Sequence, residues 1–180
     1  MKILLHICCG PCATYSSEFL KENGWKVTGF FYNPNIHPYK EYEKRLNTLK
    51  DYAQKMDLSV IYKDEYDLEE FLRRVVYREA IRCKFCYHLR LKDTARTAKE
   101  KGFDAFTTTL LISPYQDHNL IQEVAGSVAG EVGTTFQYED FRPGYNQSIQ
   151  FSREYELYRQ SYCGCIYSEK ERYLASGFNR

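Results

Sequence analysis

Ile3-Leu4-Leu5-His6-Ile7 runs straight into Cys8-Cys9-Gly10-Pro11-Cys12, and these ten residues decide the fold. The apolar run is too short for a helix and stops at a Gly-Pro turn, which is the pattern of a buried strand feeding a turn. Residues 12–23 then read as a helix closed by Gly24. Working outward, 27–32 is a second strand ended by Asn33-Pro34-Asn35. Tyr42, Leu46, Leu49, Ala53 and Met56 mark one face of a helix over 39–56. Residues 58–62 form a third strand. Leu68, Phe71, Leu72, Val75 and Val76 mark a further helix face, and Leu91, Ala95 and Ala98 another that ends at Gly102. Residues 105–111 are strand four, after which Ser113-Pro114 caps a helix striped by Leu120, Ile121, Val124, Val128 and Val132. A fifth strand is expected at 134–138, a loop at Pro143-Gly144 and a helix over 151–162. Cys163-Gly164-Cys165 interrupts that helix before a last short one. Strands alternating with helices, each strand continuously apolar, define an α/β protein around a parallel sheet. In such sheets ligands bind beyond the carboxyl ends of the strands, where Cys8, Cys9 and Cys12 fall.

The chain has 180 residues, enough for one domain spanning 1–180, with 43% hydrophobic and 27% charged residues. That balance is globular and excludes a disordered chain. The longest apolar runs, four or five residues, exclude a spanning helix, and the first residues carry no secretory core, so a cytoplasmic protein is expected. Net charge is +1, which on average gives no sign of a nucleic-acid partner. Locally it does. Between Arg73 and Lys101 ten basic residues face three acidic ones, leaving the remainder of the chain at −6. The excess brackets Cys83 and Cys86. It reads either as solvated helix faces or as a phosphate footprint that includes Arg73, Arg74 and Arg78.

Seven cysteines stand in three clumps: Cys8, Cys9 and Cys12; Cys83 and Cys86; Cys163 and Cys165. In a cytosolic chain such clumps point to metal or redox chemistry rather than to structural bridges. Cys9-Gly10-Pro11-Cys12 has the thioredoxin-type spacing, in which a helix N-terminus lowers one thiol's pKa and a second thiol resolves the mixed disulfide. Against that reading, Cys8 precedes the motif and five cysteines stay unexplained. Arg82-Cys83-Lys84-Phe85-Cys86-Tyr87, expected between two helical stretches, supplies a second C-x-x-C. Seventy residues separate the two motifs. A shared metal would therefore join separate elements at the sheet edge, unlike a compact zinc ribbon. Soft thiolates also suit iron–sulfur clusters. Cysteines one residue apart close only a small, easily reduced ring, so Cys163 and Cys165 read as a redox pair or as further ligands. The four histidines form no ligand pattern. Tyr115 and Asp117, after strand four, are placed to face the same crevice.

His6-Ile7-Cys8-Cys9-Gly10-Pro11-Cys12, the Cys83–Cys86 motif with Arg90-Leu91, Phe106-Thr107-Thr108-Thr109-Leu110-Leu111 with Ser113-Pro114, and Tyr158-Arg159-Gln160 leading to Tyr162-Cys163-Gly164-Cys165 occur in that order. Together they resemble the cobalamin-independent epoxyqueuosine reductase family, QueH, over nearly the whole chain. The resemblance implies a Rossmann-like sheet akin to the nucleotide alpha-hydrolase group, with a helical C-terminal segment carrying the CxC motif. It implies reduction of epoxyqueuosine at the wobble position of tRNA to queuosine, the last step of that modification. It also implies a [4Fe-4S] cluster on Cys8, Cys9, Cys83 and Cys86, and an adjacent iron for which Cys12 and a carboxylate are candidates. Cys163 and Cys165 carry over as a redox-active disulfide.

The chemistry suits these parts. Removing an epoxide oxygen takes two electrons and two protons, a cluster passes electrons singly, and a dithiol provides a second store. An open iron position would act as a Lewis acid toward the epoxide oxygen. Tyr115, Asp117 and His6 are candidate proton donors, and Tyr87 and Tyr115 candidate stacking faces for a single-stranded base. The electron donor is not identified. No Walker or GxGxxG loop is present. Two other classes remain: a thioredoxin-like thiol-disulfide oxidoreductase and a zinc-structured RNA-binding module.

Overall fold

The computed structural model describes residues 1–177. The expectation of one domain over 1–180 therefore includes three residues outside the described ones. The elements are β1 (Lys2–His6), α1 (Gly10–Glu22), β2 (Lys26–Phe31), α2 (Tyr39–Lys55), β3 (Val60–Tyr62), α3 (Leu68–Val75), α4 (Arg82–Glu100), β4 (Ala105–Thr108), α5 (His118–Val132), α6 (Tyr145–Glu154) and α7 (Ile166–Gly177). Their order is the expected alternation. The four strands are all parallel, in the order β3-β2-β1-β4, with Ile3 beside Val27 on one side and Ala105 on the other. Ile3, Leu4 and Leu5 are each fully buried although successive residues point to opposite faces, so both faces of β1 are covered. α1 packs on α2 and α6, and α4 packs on α5, β1 and β4.

Chain order reverses at β1, since β2 lies on one side of it and β4 on the other. That reversal opens a crevice beyond the carboxyl ends of β1 and β4. The turn into α1 is tight there. A Cβ on Gly10 would meet Thr48 Cγ2 at 2.9 Å and the Thr48 carbonyl oxygen at 3.1 Å, so glycine lets α1 start against α2.

Several expected boundaries are corrected. β4 ends at Thr108, whose hydroxyl accepts the Leu110 N–H at 3.1 Å and turns the chain into a short 3-10 segment, Thr109–Ile112. The expected fifth strand is a single bridge between Phe106 and Phe136 on that short edge. Cys83 and Cys86 lie in the first two turns of α4 rather than between helices. Asp117, not Ser113-Pro114, caps α5, accepting the Leu120 N–H at 3.0 Å. Pro143-Gly144 belongs to a 3-10 turn that leads into α6. That helix ends at Glu154, before Glu156 at φ +55°, so most of the expected helix over 151–162 is irregular chain.

Candidate metal and thiol centre

β1 delivers Cys8 and Cys9 to the crevice, and the first turn of α1 delivers Cys12. Their three sulfur atoms lie within 4.8 Å of one another. Cys9 is the N-cap of α1 in extended conformation, with no side-chain cap bond, so the positive end of the helix faces the sulfurs. Cys8 is tied to the edge of β4: its N–H donates to Thr109 Oγ1 at 3.2 Å, and the Thr109 hydroxyl donates to Cys8 Sγ at 3.5 Å. The Cys12 and Cys9 thiols and the Thr109 hydroxyl hold the Cys8 thiol well below the ordinary range. Burial raises Cys9, and sharing hydrogen bonds with Cys8 raises Cys12. The group thus gives up one proton readily and keeps the others until a cation displaces them.

Cys83 and Cys86, three apart and so on one face of α4, stand outside that group of three. They line a cavity of about 230 Å³ together with Cys163 and Cys165. Cys8 and Cys12 line an adjoining cavity of about 430 Å³, also with Cys163. Tyr115, Gln116, Cys163 and Ser168 belong to both walls. All seven cysteines are free thiols; Cys83 and Cys163 are exposed, Cys86 and Cys165 buried. Burial pushes the Cys86 thiol up to about 12, opposed by Arg90 and Asn35, which favour its thiolate.

The other expected residues fall unevenly. Tyr115 is 83% exposed and lies edge-on to Tyr145 at the cavity mouth. Asp117 lines the smaller cavity, but its carboxylate is engaged as the α5 cap. Tyr87 is a buried wall whose hydroxyl donates to Gln116 Oε1 at 2.8 Å, which leaves Tyr115 as the open ring. His6 is fully buried and lines neither cavity. Its ring bonds Thr108 Oγ1 at 2.9 Å and Asn33 Oδ1 at 3.2 Å, and burial holds it down at about 4, hence neutral. Arg74 is paired with Glu70 at 2.6 Å, whereas Arg73 and Arg78 line an open hollow at the end of α3 that contains no cysteine.

Four residues were not singled out by sequence reasoning. Gln116 donates from Nε2 to Cys163 Sγ at 3.2 Å. Arg45, 1% exposed, donates to Glu41 Oε1 at 2.7 Å, the Cys163 carbonyl at 2.8 Å and the Tyr162 carbonyl at 2.9 Å. Asn35 Oδ1 accepts from Arg90 Nε at 2.8 Å. Glu41 and Arg45 sit four apart on a helix, a spacing shared with ordinary surface pairs, so only the long-range fold marks them. The soft, largely buried donor set at the α1 N-terminus, with Cys83 and Cys86 in the first turns of α4 and a buried guanidinium with unpartnered nitrogens, fits an anionic metal–thiolate centre.

A Rossmann-like parallel sheet flanked by helices, with a thiol-rich centre at its topological switch point, defines the class. The fold likeness extends to the solved predicted subunit of a tRNA methyltransferase from Methanocaldococcus jannaschii. It shows a TM-score of 0.57 at 13% identity, over 100% of this chain and 89% of that one. The family model for epoxyqueuosine reductase QueH matches residues 3–171. Curated proteins of that name are 38% identical in Dehalococcoides mccartyi (96% of this chain, 94% of that one), 35% in Streptococcus pyogenes (93% and 70%) and 34% in Thermotoga maritima (94% and 91%). The chain belongs to the epoxyqueuosine reductase QueH family.

Proposed function

We propose that this protein reduces epoxyqueuosine at the wobble position of tRNA to queuosine, acting as one unit over residues 1–180 in the reducing cytoplasm. The observation that carries the reading is the convergence, in a member of this family, of six cysteines on two adjoining cavities that share Cys163. Cys8, Cys9, Cys83 and Cys86 would hold a [4Fe-4S] cluster, and Cys12, open to the larger cavity, a ligand position for an adjacent iron. When bound, these groups supply single-electron transfer and a Lewis acid for the epoxide oxygen.

The chain's own residues account for the rest of the balance. Closing Cys163 and Cys165 to a disulfide releases two electrons and two protons, which is what converts an epoxide into an alkene and water. Cys163 is the exposed member and Gln116 fixes its sulfur. Reopening the disulfide requires an external reductant. Tyr115 is placed to stack the base, and Asp117 to hold a proton at the smaller cavity. Arg73 on α3 and Arg78 just beyond it have no carboxylate partner among the described residues and would meet tRNA phosphates.

The thioredoxin-like alternative is disfavoured by Cys9, which is 1% exposed with its thiol raised by burial. A structural zinc module leaves the exposed Cys163 without a part. Anaerobic purification followed by iron and sulfide analysis, with turnover of tRNA bearing epoxyqueuosine, tests the reading. Brown protein with about four sulfide and four to five iron per chain and formation of queuosine is the expected result. One zinc per chain, or colourless protein active on protein disulfides, overturns it.

A further inference from the structure

Arg90 is fully buried on α4, and its Nη1 and Nη2 have no hydrogen-bond partner. Asn35, which fixes its Nε, has an Nδ2 that no acceptor satisfies in the metal-free protein but that favours the Cys86 thiolate. Among the described residues, half of the six buried side-chain atoms without partners belong to this one pair, and all three are donors. Donors can be satisfied only by an acceptor, and a cation in such a place calls for an anion. Among the described residues, Arg90 has no carboxylate partner. The groups that its charge acts on most strongly are Cys86, Cys163 and Cys8, with the positive Arg45 opposing. Arg45 differs in being neutralised by Glu41. Arg90 therefore acts on cysteines of all three clumps, Cys8, Cys86 and Cys163, while carrying an unspent positive charge and an unspent fork of N–H groups.

We infer that Arg90, oriented by Asn35, is the counter-cation of the cysteine centre: its free N–H groups receive thiolate or sulfide sulfur once that centre is assembled, and its charge offsets the negative charge that several thiolates bring. The inference rests on the metal–thiolate reading above. It makes Arg90 and Asn35 positioning residues and tuners of the centre, not reacting groups. Outer-shell donors of this kind adjust affinity and potential.

A sign reversal follows. In the metal-free protein the guanidinium is a buried charge without compensation, and replacing such a charge by an apolar chain of similar length relieves the core. In the loaded protein the same replacement removes the counter-charge. The test measures Tm of wild type, Arg90→Met and Arg90→Lys under anaerobic conditions, before and after reconstitution with ferrous iron and sulfide, together with the midpoint potential of the loaded forms by EPR-monitored titration. Metal-free R90M should match or exceed wild type in Tm. Its rise in Tm on loading should shrink, and its midpoint potential should move to more negative values, because a lost cation disfavours the reduced centre. R90K, which keeps the charge and loses the planar fork, should fall between. Equal destabilisation of both forms by R90M with an unchanged potential would show that Arg90 only fills the core. Wild type that takes up no iron overturns the reading of the centre itself, and loaded wild type indistinguishable from loaded R90M overturns this inference alone.

Discussion

Replacing Arg45 by methionine should cost the metal-free protein about 3–5 kcal/mol, the range for leaving one partner of a buried ion pair alone. Arg45 and Glu41 are 1% and 7% exposed. The substitution strips Glu41 of its only guanidinium, leaving it with the Tyr158 hydroxyl at 2.6 Å, and takes charged donors from the Tyr162 and Cys163 carbonyls. Against the 5–15 kcal/mol typical of a domain, that is a large share. Glu41→Leu should be comparably costly. The double variant should lose less than the two single losses added together, by roughly 0.5–3 kcal/mol, since it buries no unpaired charge. Equilibrium urea unfolding in reductant, with unchanged slopes, measures all three. Hydrogen exchange should show protection falling over residues 162–166 in the single variants. A strictly additive double variant, or a loss below 1 kcal/mol for Arg45→Met, would refute the argument.

Acid should weaken the fold through His37. Burial, helped by Arg90, lowers its pKa to about 4 from the usual 6.5, and its Nδ1 accepts the Ile166 N–H at 3.3 Å in the neutral form. This stabilisation is intact above about pH 6.5 and is lost as the pH falls to 4, amounting to about 3 kcal/mol. An imidazole titrating near 6.5 by NMR contradicts it. Changing Arg73 and Arg78 to Ala should flatten the slope of log K for tRNA against log salt by roughly 1.4–1.8, while Arg74→Ala, already paired with Glu70, should change it little. An unchanged slope would make those arginines a solvated face. Serine at Cys163 or Cys165 should keep the iron content and abolish repeated turnover, and loss of iron in either variant would instead make that residue a ligand.

The parallel sheet is legible because its strands are short runs that alternate with helical stripes, β1 and β2 being closed by Gly-Pro and Asn-Pro, and because β1 is continuously apolar, as a strand covered on both faces must be. The three cysteine clumps are equally legible, since spacing within one turn or one helix face is local. What escapes is whatever depends on which distant segment lands on a face. Glu41 and Arg45 have the spacing of a surface pair, and become a buried clamp only because residues 158–163 fold over α2. Arg90 counts toward the basic excess of 73–101, yet it is fully buried. In the same stretch Arg82, Lys84 and Lys92 are spent on Glu171, Glu123 and Glu131. The charge count is right there, and the surface it suggests is much smaller than the count.

Residues 155–165 have no strand or helix to hold them, yet they carry the two thiols on which the proposed chemistry turns. Groups from four other places, three of them side chains and one a backbone N–H, do the holding. Arg45 takes the Tyr162 and Cys163 carbonyls. The His37 N–H donates to the Gly164 carbonyl at 2.7 Å, Gln116 reaches the Cys163 sulfur, and the Ser168 hydroxyl accepts the Gly164 N–H at 3.1 Å. Gly164 itself sits at φ +150°, and a Cβ there would press on Arg45 Nη1 and Ile36 Cγ1 at 3.3 Å. Glycine between the cysteines is thus required both by the backbone angle and by the approach of the clamp. The result is two thiols one residue apart in unlike surroundings, one exposed where both cavities meet and one buried beneath it. A flexible CxC segment would present either sulfur to either cavity. One fixed at these points presents Cys163 to both cavities and Cys165 to the smaller one only, which is the arrangement a dithiol needs if one sulfur is to meet substrate or reductant while the other waits to close the ring.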